Sequence, residues 1–193
     1  MRLTSSTALL GLALLVGCAQ PPAPNLGADP NLPASLRNMV ADPAQTAINN
    51  TAAVFGNPAS IAGRPAQAAN AISQLEWLTV DIVTDQRWIG LQPQIPGQVR
   101  AGRDAVRQAF GVPAATTPQA AVSAFDGAAA ALATNDRAGA LTALAAVTGG
   151  QGGATRALGL LDALPSIPAA AIGTAALMNG IRQMNMQSGP RFR

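Results

Sequence analysis

A stripe of mostly apolar side chains recurs at steps of three or four residues between positions 65 and 87. Five residues share this spacing and fall along one side of an α-helix. They are Ile72, Leu75, Thr79, Ile82 and Gln86. The β-branched run at 78–83 would suit a strand, but it lies inside the longer helical period. The pattern therefore predicts a helix over 65–87 that turns one face towards a core.

The segment 118–147 shows the same period twice, with a break at Asn135-Asp136. Apolar positions line one side before the break and one side after it. They are Ala121, Phe125, Ala128 and Leu132, then Leu141, Leu144 and Val147. This pattern predicts an antiparallel helical hairpin. After it, the glycine-rich residues 149–153 predict a linker, and the small residues of 168–181 predict a helix that packs closely against the hairpin.

Several helix starts are marked by a capping residue that precedes a proline: Asp42-Pro43, Asn57-Pro58 and Thr117-Pro118. The cap accepts a bond from a free backbone N–H, and proline at the first helical position loses none. Leu32-Pro33 begins another element without such a cap. Helices are expected over 33–41, 43–55, 65–87, 97–111, 118–133, 136–147, 153–164 and 168–186. The predicted fold class is all-α, a compact bundle of short helices.

The first eighteen residues have a different pattern. Arg2 precedes an apolar stretch at 7–17, which ends in small residues before Cys18, the one cysteine of the chain. The stretch is too short to span a bilayer, for which a helix needs about 20 residues, and it has the layout of a secretory signal peptide. Leu15-Val16-Gly17-Cys18 resembles the lipobox of bacterial lipoproteins. That resemblance implies cleavage before Cys18, a diacylglycerol and an N-acyl chain on this cysteine, and no other cofactor.

The resemblance also suggests a place for the protein. In many Gram-negative bacteria an aspartate after the lipidated cysteine retains a lipoprotein at the inner membrane, and this chain has Ala19 there. We therefore expect anchoring in the outer membrane, facing the periplasm. The expected organisation is a cleaved leader at 1–17, a lipidated and proline-rich tether at 18–32, a helical domain at 33–187 and a loose tail at 188–193. An ordinary signal peptide with an incidental cysteine is the alternative.

Composition narrows the chemistry that the domain could perform. The chain has no histidine, lysine or tyrosine, so serine–histidine nucleophiles, Schiff-base lysines and the usual zinc sites are excluded. No metal site is predicted. The closest carboxylates are Glu76, Asp81 and Asp85. Asp81 and Asp85 are expected on the solvent side of the 65–87 helix, where a pair of carboxylates more commonly repels weakly than catalyses.

The isoelectric point near 11.0 does not indicate nucleic-acid binding. It arises because every basic residue is arginine, and beyond the leader the chain carries 11 basic residues against 9 acidic ones. Charged residues make up only 11% of the chain, which fits an alanine-rich surface or a surface covered by a partner or by lipid. No nucleic-acid partner is expected, and the oligomeric state is left open.

Trp77 and Trp88 are expected on one side of the 65–87 helix and its end, opposite the apolar stripe. Two interpretations remain open. In the first, the helix is packed on both sides and each tryptophan fills a second packing interface. In the second, the two tryptophans form an exposed patch for a partner, a ligand or the bilayer surface.

Arg100, Arg103 and Arg107 follow one another at i, i+3 and i+7, opposite Val99, Val106 and Phe110. One interpretation is a solvated face with an Arg100–Asp104 pair. The other is docking to anionic lipid headgroups or an acidic partner, worth about 1 kcal/mol per arginine near a charged membrane.

Together these patterns predict a non-catalytic envelope lipoprotein. A helical interaction or structural module would be held to the bilayer through Cys18, with an envelope protein as its partner. The alternative is a periplasmic carrier of an apolar small ligand or lipid, and a carboxylate-based hydrolase comes third.

Overall fold

The computed structural model describes residues 30–37 and 39–187. The leader, Cys18, most of the tether and the tail expected at 188–193 lie outside the described residues. Within the described ranges the predicted all-α class is confirmed, with no strand and with seven α-helices where eight helices were expected. The helices are α1 (Pro43–Gly56), α2 (Pro65–Thr84), α3 (Gln94–Phe110), α4 (Pro118–Ala133), α5 (Arg137–Ala145), α6 (Gln151–Asp162) and α7 (Pro168–Gln187). Short 3₁₀ turns occur at Ala34–Leu36, Pro58–Ile61 and Gln86–Trp88.

Side-chain caps fix several of these starts. Asp42 accepts hydrogen bonds from the backbone N–H groups of Ala44 and Gln45, and Thr117 accepts one from Ala120. Asn57 makes no such bond, and the proline after it begins a 3₁₀ turn. The sequence signal of a polar residue before proline is therefore reliable for α1 and α4, where the cap oxygen reaches a free N–H.

α2 is the central helix, because it packs on α1, α3, α4 and α6. Every residue from 71 to 80 is buried, so the helix is enclosed on all sides rather than along one stripe. Polar side chains tolerate this burial because each finds a partner: Ser73 donates to Asp126, and Gln74 bonds with Asn50 and Ser35. The expectation that α2 extends to 87 was wrong. The helix ends at Thr84, and Gln86 is exposed.

The predicted hairpin is formed by α4 and α5, which pack against each other. Asn135 makes the reversal in a left-handed conformation with φ 60°, which asparagine tolerates better than most residues. Asp136 then caps α5 by accepting a bond from the N–H of Gly139. On the core side, the rings of Phe125 and Phe110 meet edge to face, with centroids 5.8 Å apart.

The position predicted for the last helix was wrong. α7 packs between α3 and α1, not on the α4–α5 hairpin. Its small residues do allow close approach: a Cβ on Gly173 would lie 2.5 Å from the backbone oxygen of Gln98, and a Cβ on Gly102 would lie 2.9 Å from the Cα of Ala170. No helix in the described part of the chain is long and apolar enough to cross a membrane.

Two further expectations differ from the structure. The helix predicted over 33–41 is only the turn Ala34–Leu36, and the N–H of Ala34 donates to Asp126 of α4. The segment 149–153 is not a long linker. Gly149 and Gly150 adopt positive φ values of 74° and 93°, which glycine allows without strain, and α6 begins at once with Gln151.

Candidate functional site

Two surfaces carry the side chains singled out by the sequence, one at the end of α2 and one along α3. The lipidation site, Cys18, lies outside the described residues, so its acylation stays a prediction. The described chain begins close to the first surface, because Pro30 is buried and lines a crevice with Trp77 and Asp81.

The two tryptophans do not form one exposed patch. Trp77 is 8% exposed and belongs to the core, because α2 is packed on all sides. Trp88 lies beyond α2, in the turn Gln86–Trp88, and is half-buried. Its indole Nε1 donates a 2.8 Å hydrogen bond to Oδ2 of Asp81, and the guanidinium of Arg87 lies 5.6 Å from the ring centroid. Only Trp88 is therefore placed to meet another molecule.

Arg87 gathers three carboxylates around this ring. Its Nη2 lies 2.7 Å from Asp85 and 4.0 Å from Asp81, and its Nη1 lies 3.4 Å from Asp42. Burial raises the pKa of Asp81, although the bond from Trp88 acts against this. The hydrogen bonds that Arg87 donates lower the pKa of Asp85. Asp81 is thus half-buried and not on the solvent side as expected.

Asp81 and Asp85 each have a hydrogen-bond donor in this arrangement. Both carboxylates line the crevice beside Pro30, but each is bonded: Asp85 accepts from Arg87, and Asp81 accepts from the indole of Trp88. Among the described residues no group of three potential metal ligands is close enough to hold an ion. The cluster fixes the turn after α2 against α1.

A crevice of about 370 Å³ lies beside Trp88, between the start of α1 and the end of α7. Its lining residues are Asp42, Gln45, Arg87, Trp88, Ile181, Met184 and Asn185. Large apolar side chains are exposed next to these positions in the chain: Ile89 is 80% exposed, and Val40 and Met186 are also open to solvent. We call this region the Trp88 surface.

Fluorescence should separate the two tryptophans. We expect Trp77 to emit at short wavelength and to resist quenching by iodide, because its ring lies in the core. Trp88 should supply the quenchable part of the signal. Trp88→Phe should remove that part, whereas Trp77→Phe should leave it. Loss of quenching in the Trp77 variant would contradict the positions described here.

The arginines of α3 do not form a solvated stripe. Arg107 is 5% exposed, and it forms a bidentate pair with Glu76, which is 1% exposed. Its Nε and Nη2 donate to the two carboxylate oxygens at 2.7 and 2.6 Å, and its Nη1 donates to the backbone oxygen of Thr116 at 2.8 Å. Burial raises the pKa of Glu76, and the contacts with Arg107 oppose that shift.

The other two arginines differ from each other. Arg103 is 7% exposed, and its Nε and Nη2 donate to one oxygen of Asp104, at 2.9 and 2.6 Å. The Arg100–Asp104 pair expected from sequence is therefore replaced by a pair between neighbours. Arg100 is half-buried. The apolar positions Val99, Val106 and Phe110 are buried, as predicted.

The same arginines line a cleft of about 460 Å³ along α3, which we call the α3 cleft. Its lining residues are Arg100, Arg103, Asp104, Arg107, Gln108, Val112 and Ala114. The sequence signalled the three arginines through their helical spacing. It did not signal Val112 and Ala114, because the loop after α3 folds back to complete the wall.

The chain matches no known protein-family model, and neither a curated protein nor a solved structure is significantly similar to it.

Proposed function

We propose that this chain is an envelope lipoprotein, anchored through acyl chains on Cys18 and facing the periplasm from the outer membrane. Its helical domain is a non-catalytic interaction or structural module. The observation that carries the proposal is the order of a basic residue, a short apolar run, Leu15-Val16-Gly17-Cys18 and a proline-rich spacer. Two or more chains on one cysteine give stable anchoring, since each buried methylene contributes about 0.8 kcal/mol.

The join between tether and domain supports this proposal. The N–H of Asn31 donates to Oε1 of Gln119 at 2.7 Å, and the N–H of Ala34 donates to Asp126 at 2.8 Å. The chain from Cys18 to Pro30 can span at most roughly 40 Å. The domain would therefore be held within that distance of the bilayer, with its attachment point fixed beside α4.

The Trp88 surface is the site that the proposal assigns to a protein partner. Exposed Ile89 and Met186 offer apolar area next in the chain to residues that line the crevice, and the half-buried indole of Trp88 lines it together with the charged Arg87 and Asp42. Interfaces commonly combine an aromatic or arginine anchor with a polar rim. A carrier of a small ligand is the second candidate, and the α3 cleft, not the tryptophan pair, is the observation that favours it.

Two leader variants test the anchor. The host is a Gram-negative bacterium in which an aspartate after the lipidated cysteine retains lipoproteins at the inner membrane. There the Cys18→Ser protein should lose its acyl chains. It should either appear in the soluble fraction after cleavage or keep its leader uncleaved. Ala19→Asp keeps the lipidated cysteine and should move the protein from the outer to the inner membrane. Membrane fractionation reads both results. Unchanged membrane association of the Cys18→Ser protein after leader cleavage would contradict the proposal.

A further inference from the structure

The α3 cleft has an excess of positive charge. Arg100, Arg103 and Arg107 contribute three guanidinium groups to its lining. Asp104 is the one acid among the lining residues, and Glu76 lies behind the wall as the partner of Arg107. The region therefore carries one net positive charge, which favours an anion in a partly enclosed space where salt screens poorly.

Two of these guanidinium groups have capacity left for a ligand. Arg100 makes no hydrogen bond or ion pair with any described residue, although its side chain is half-buried. Arg103 uses Nε and Nη2 on Asp104, and its Nη1 has no partner among the described residues. No buried side-chain nitrogen or oxygen in the described chain lacks a partner, so Nη1 of Arg103 is not fully buried, and Arg103 lines the cleft.

Apart from Gln108, the remaining lining residues are apolar. Val112 and Ala114 come from the loop that follows α3, and Val112 is almost fully buried beneath the cleft. At about 460 Å³ the volume is within the range of small-molecule sites. A charged rim beside an apolar wall suits a ligand with an anionic head and a short apolar tail.

A flat membrane surface would not satisfy these groups. Arg103 and Arg107 are more than nine-tenths buried, so their guanidinium groups cannot lie in the plane of lipid headgroups while α3 stays packed on α7 and α2. A ligand that enters the cleft can reach Arg103. This favours a molecule taken up singly over docking of the whole face to a bilayer.

We propose that the α3 cleft binds a small anionic amphiphile, with its carboxylate or phosphate head held by Arg100 and Arg103 and its tail against Val112. Guanidinium groups match both heads because they donate two parallel hydrogen bonds. Asp104 competes with the ligand for Arg103. This site deepens the second candidate function, the carrier, goes beyond the anchoring function and does not depend on lipidation of Cys18.

Titration of the full-length protein, extracted in a neutral maltoside detergent, tests the site. The probes are hexyl phosphate and hexanoate, with inorganic phosphate and hexanol as separate head and tail controls. We expect saturable binding of at least one amphiphile by calorimetry, with ³¹P line broadening for the phosphate. Arg100→Gln should weaken binding about tenfold or more, because a charged donor is lost. Asp104→Asn should tighten it by about threefold, because the competing charge is removed.

Arg182→Gln is the matched control, since Arg182 is exposed on α7 and does not line the cleft, so the substitution should leave affinity unchanged. Circular dichroism establishes that each variant is folded. Absence of saturable binding by both amphiphiles would overturn the proposal. So would equal affinities in the Arg100 and Arg182 variants, or inorganic phosphate that binds as tightly as hexyl phosphate.

Discussion

Replacement of Arg107 by methionine is expected to lower the free energy of unfolding by about 3–5 kcal/mol. The substitution leaves Glu76 as an unpaired carboxylate in the core, and the backbone oxygen of Thr116 loses its donor. Removal of one partner of a buried pair costs much more than removal of both, because a lone buried charge has no compensation. Glu76→Leu together with Arg107→Met should therefore recover much of the loss, which denaturant unfolding of all variants would measure.

The loss in the Arg107→Met protein should also depend on pH. Burial already raises the pKa of Glu76 above its ordinary 4.5, and the lost Arg107 contacts would raise it further. A carboxyl with a raised pKa in the fold stabilises the protein below its unfolded pKa, and this contribution is lost as pH rises through the folded pKa. The deficit should thus shrink towards pH 4.5. A loss below about 1 kcal/mol, equal at all pH values and equal to that of exposed Arg182→Met, would contradict burial of the pair.

The second large effect is expected where α7 crosses α3. Gly173→Ala should destabilise the protein by about 1–3 kcal/mol, the usual cost of overpacking. The new Cβ would lie 2.5 Å from the backbone oxygen of Gln98 and 3.1 Å from the Cα of Val99. Backbone atoms cannot rotate away, so the two helices must separate. The better helix propensity of alanine offsets only part of this cost.

Gly159→Ala is the matched control for this prediction. Gly159 is an exposed position inside α6, and a Cβ there would meet nothing within 4 Å. It should stabilise the protein by roughly 0.5–1 kcal/mol, because alanine loses less backbone entropy in a helix. The two glycine variants are therefore expected to shift the thermal midpoint in opposite directions. A shift in the same direction would mean that α7 does not pack this closely on α3.

Local signals explain which parts of the fold could be read from sequence. Asp42-Pro43 and Thr117-Pro118 set helix starts within a few residues, and the Asn135-Asp136 reversal is a turn between two matching periods. These features depend on residues that are neighbours in the chain, so they can be predicted from residue types and their spacing. The all-α class and the α4–α5 hairpin follow from such signals alone.

Contacts between distant residues explain the errors. Glu76 and Arg107 are 31 positions apart in the chain. Because local spacing does not indicate that they pair, the sequence alone predicts an exposed side chain for each. The polar side chains of α2 similarly predict a solvent-exposed face, yet Ser73 is hydrogen-bonded to Asp126 and Gln74 to Asn50. These contacts enclose α2 on all sides, so the helical period alone could not assign Trp77 to the core. The small residues of α7 predict close packing, but they do not specify that the helix contacts α3 and α1.

The sequence indicated only some residues of the two candidate surfaces, because the others join them through contacts between distant parts of the chain. Trp88 and the arginines of α3 stood out by residue type and spacing. Asp42, which is 45 positions from Arg87, gave no signal that it joins the Trp88 surface. Val112 likewise became part of the α3 cleft only through the fold of the loop after α3.

The most direct test of the central claim is the intact mass of the full-length protein, extracted from host membranes in mild detergent. An envelope lipoprotein predicts a polypeptide that starts at Cys18 and carries the added mass of two or three acyl chains and glycerol. Under native conditions a bound protein would add the mass of the expected partner. A chain that retains Met1, or a cleaved chain with a free Cys18 thiol, would contradict the lipid anchor.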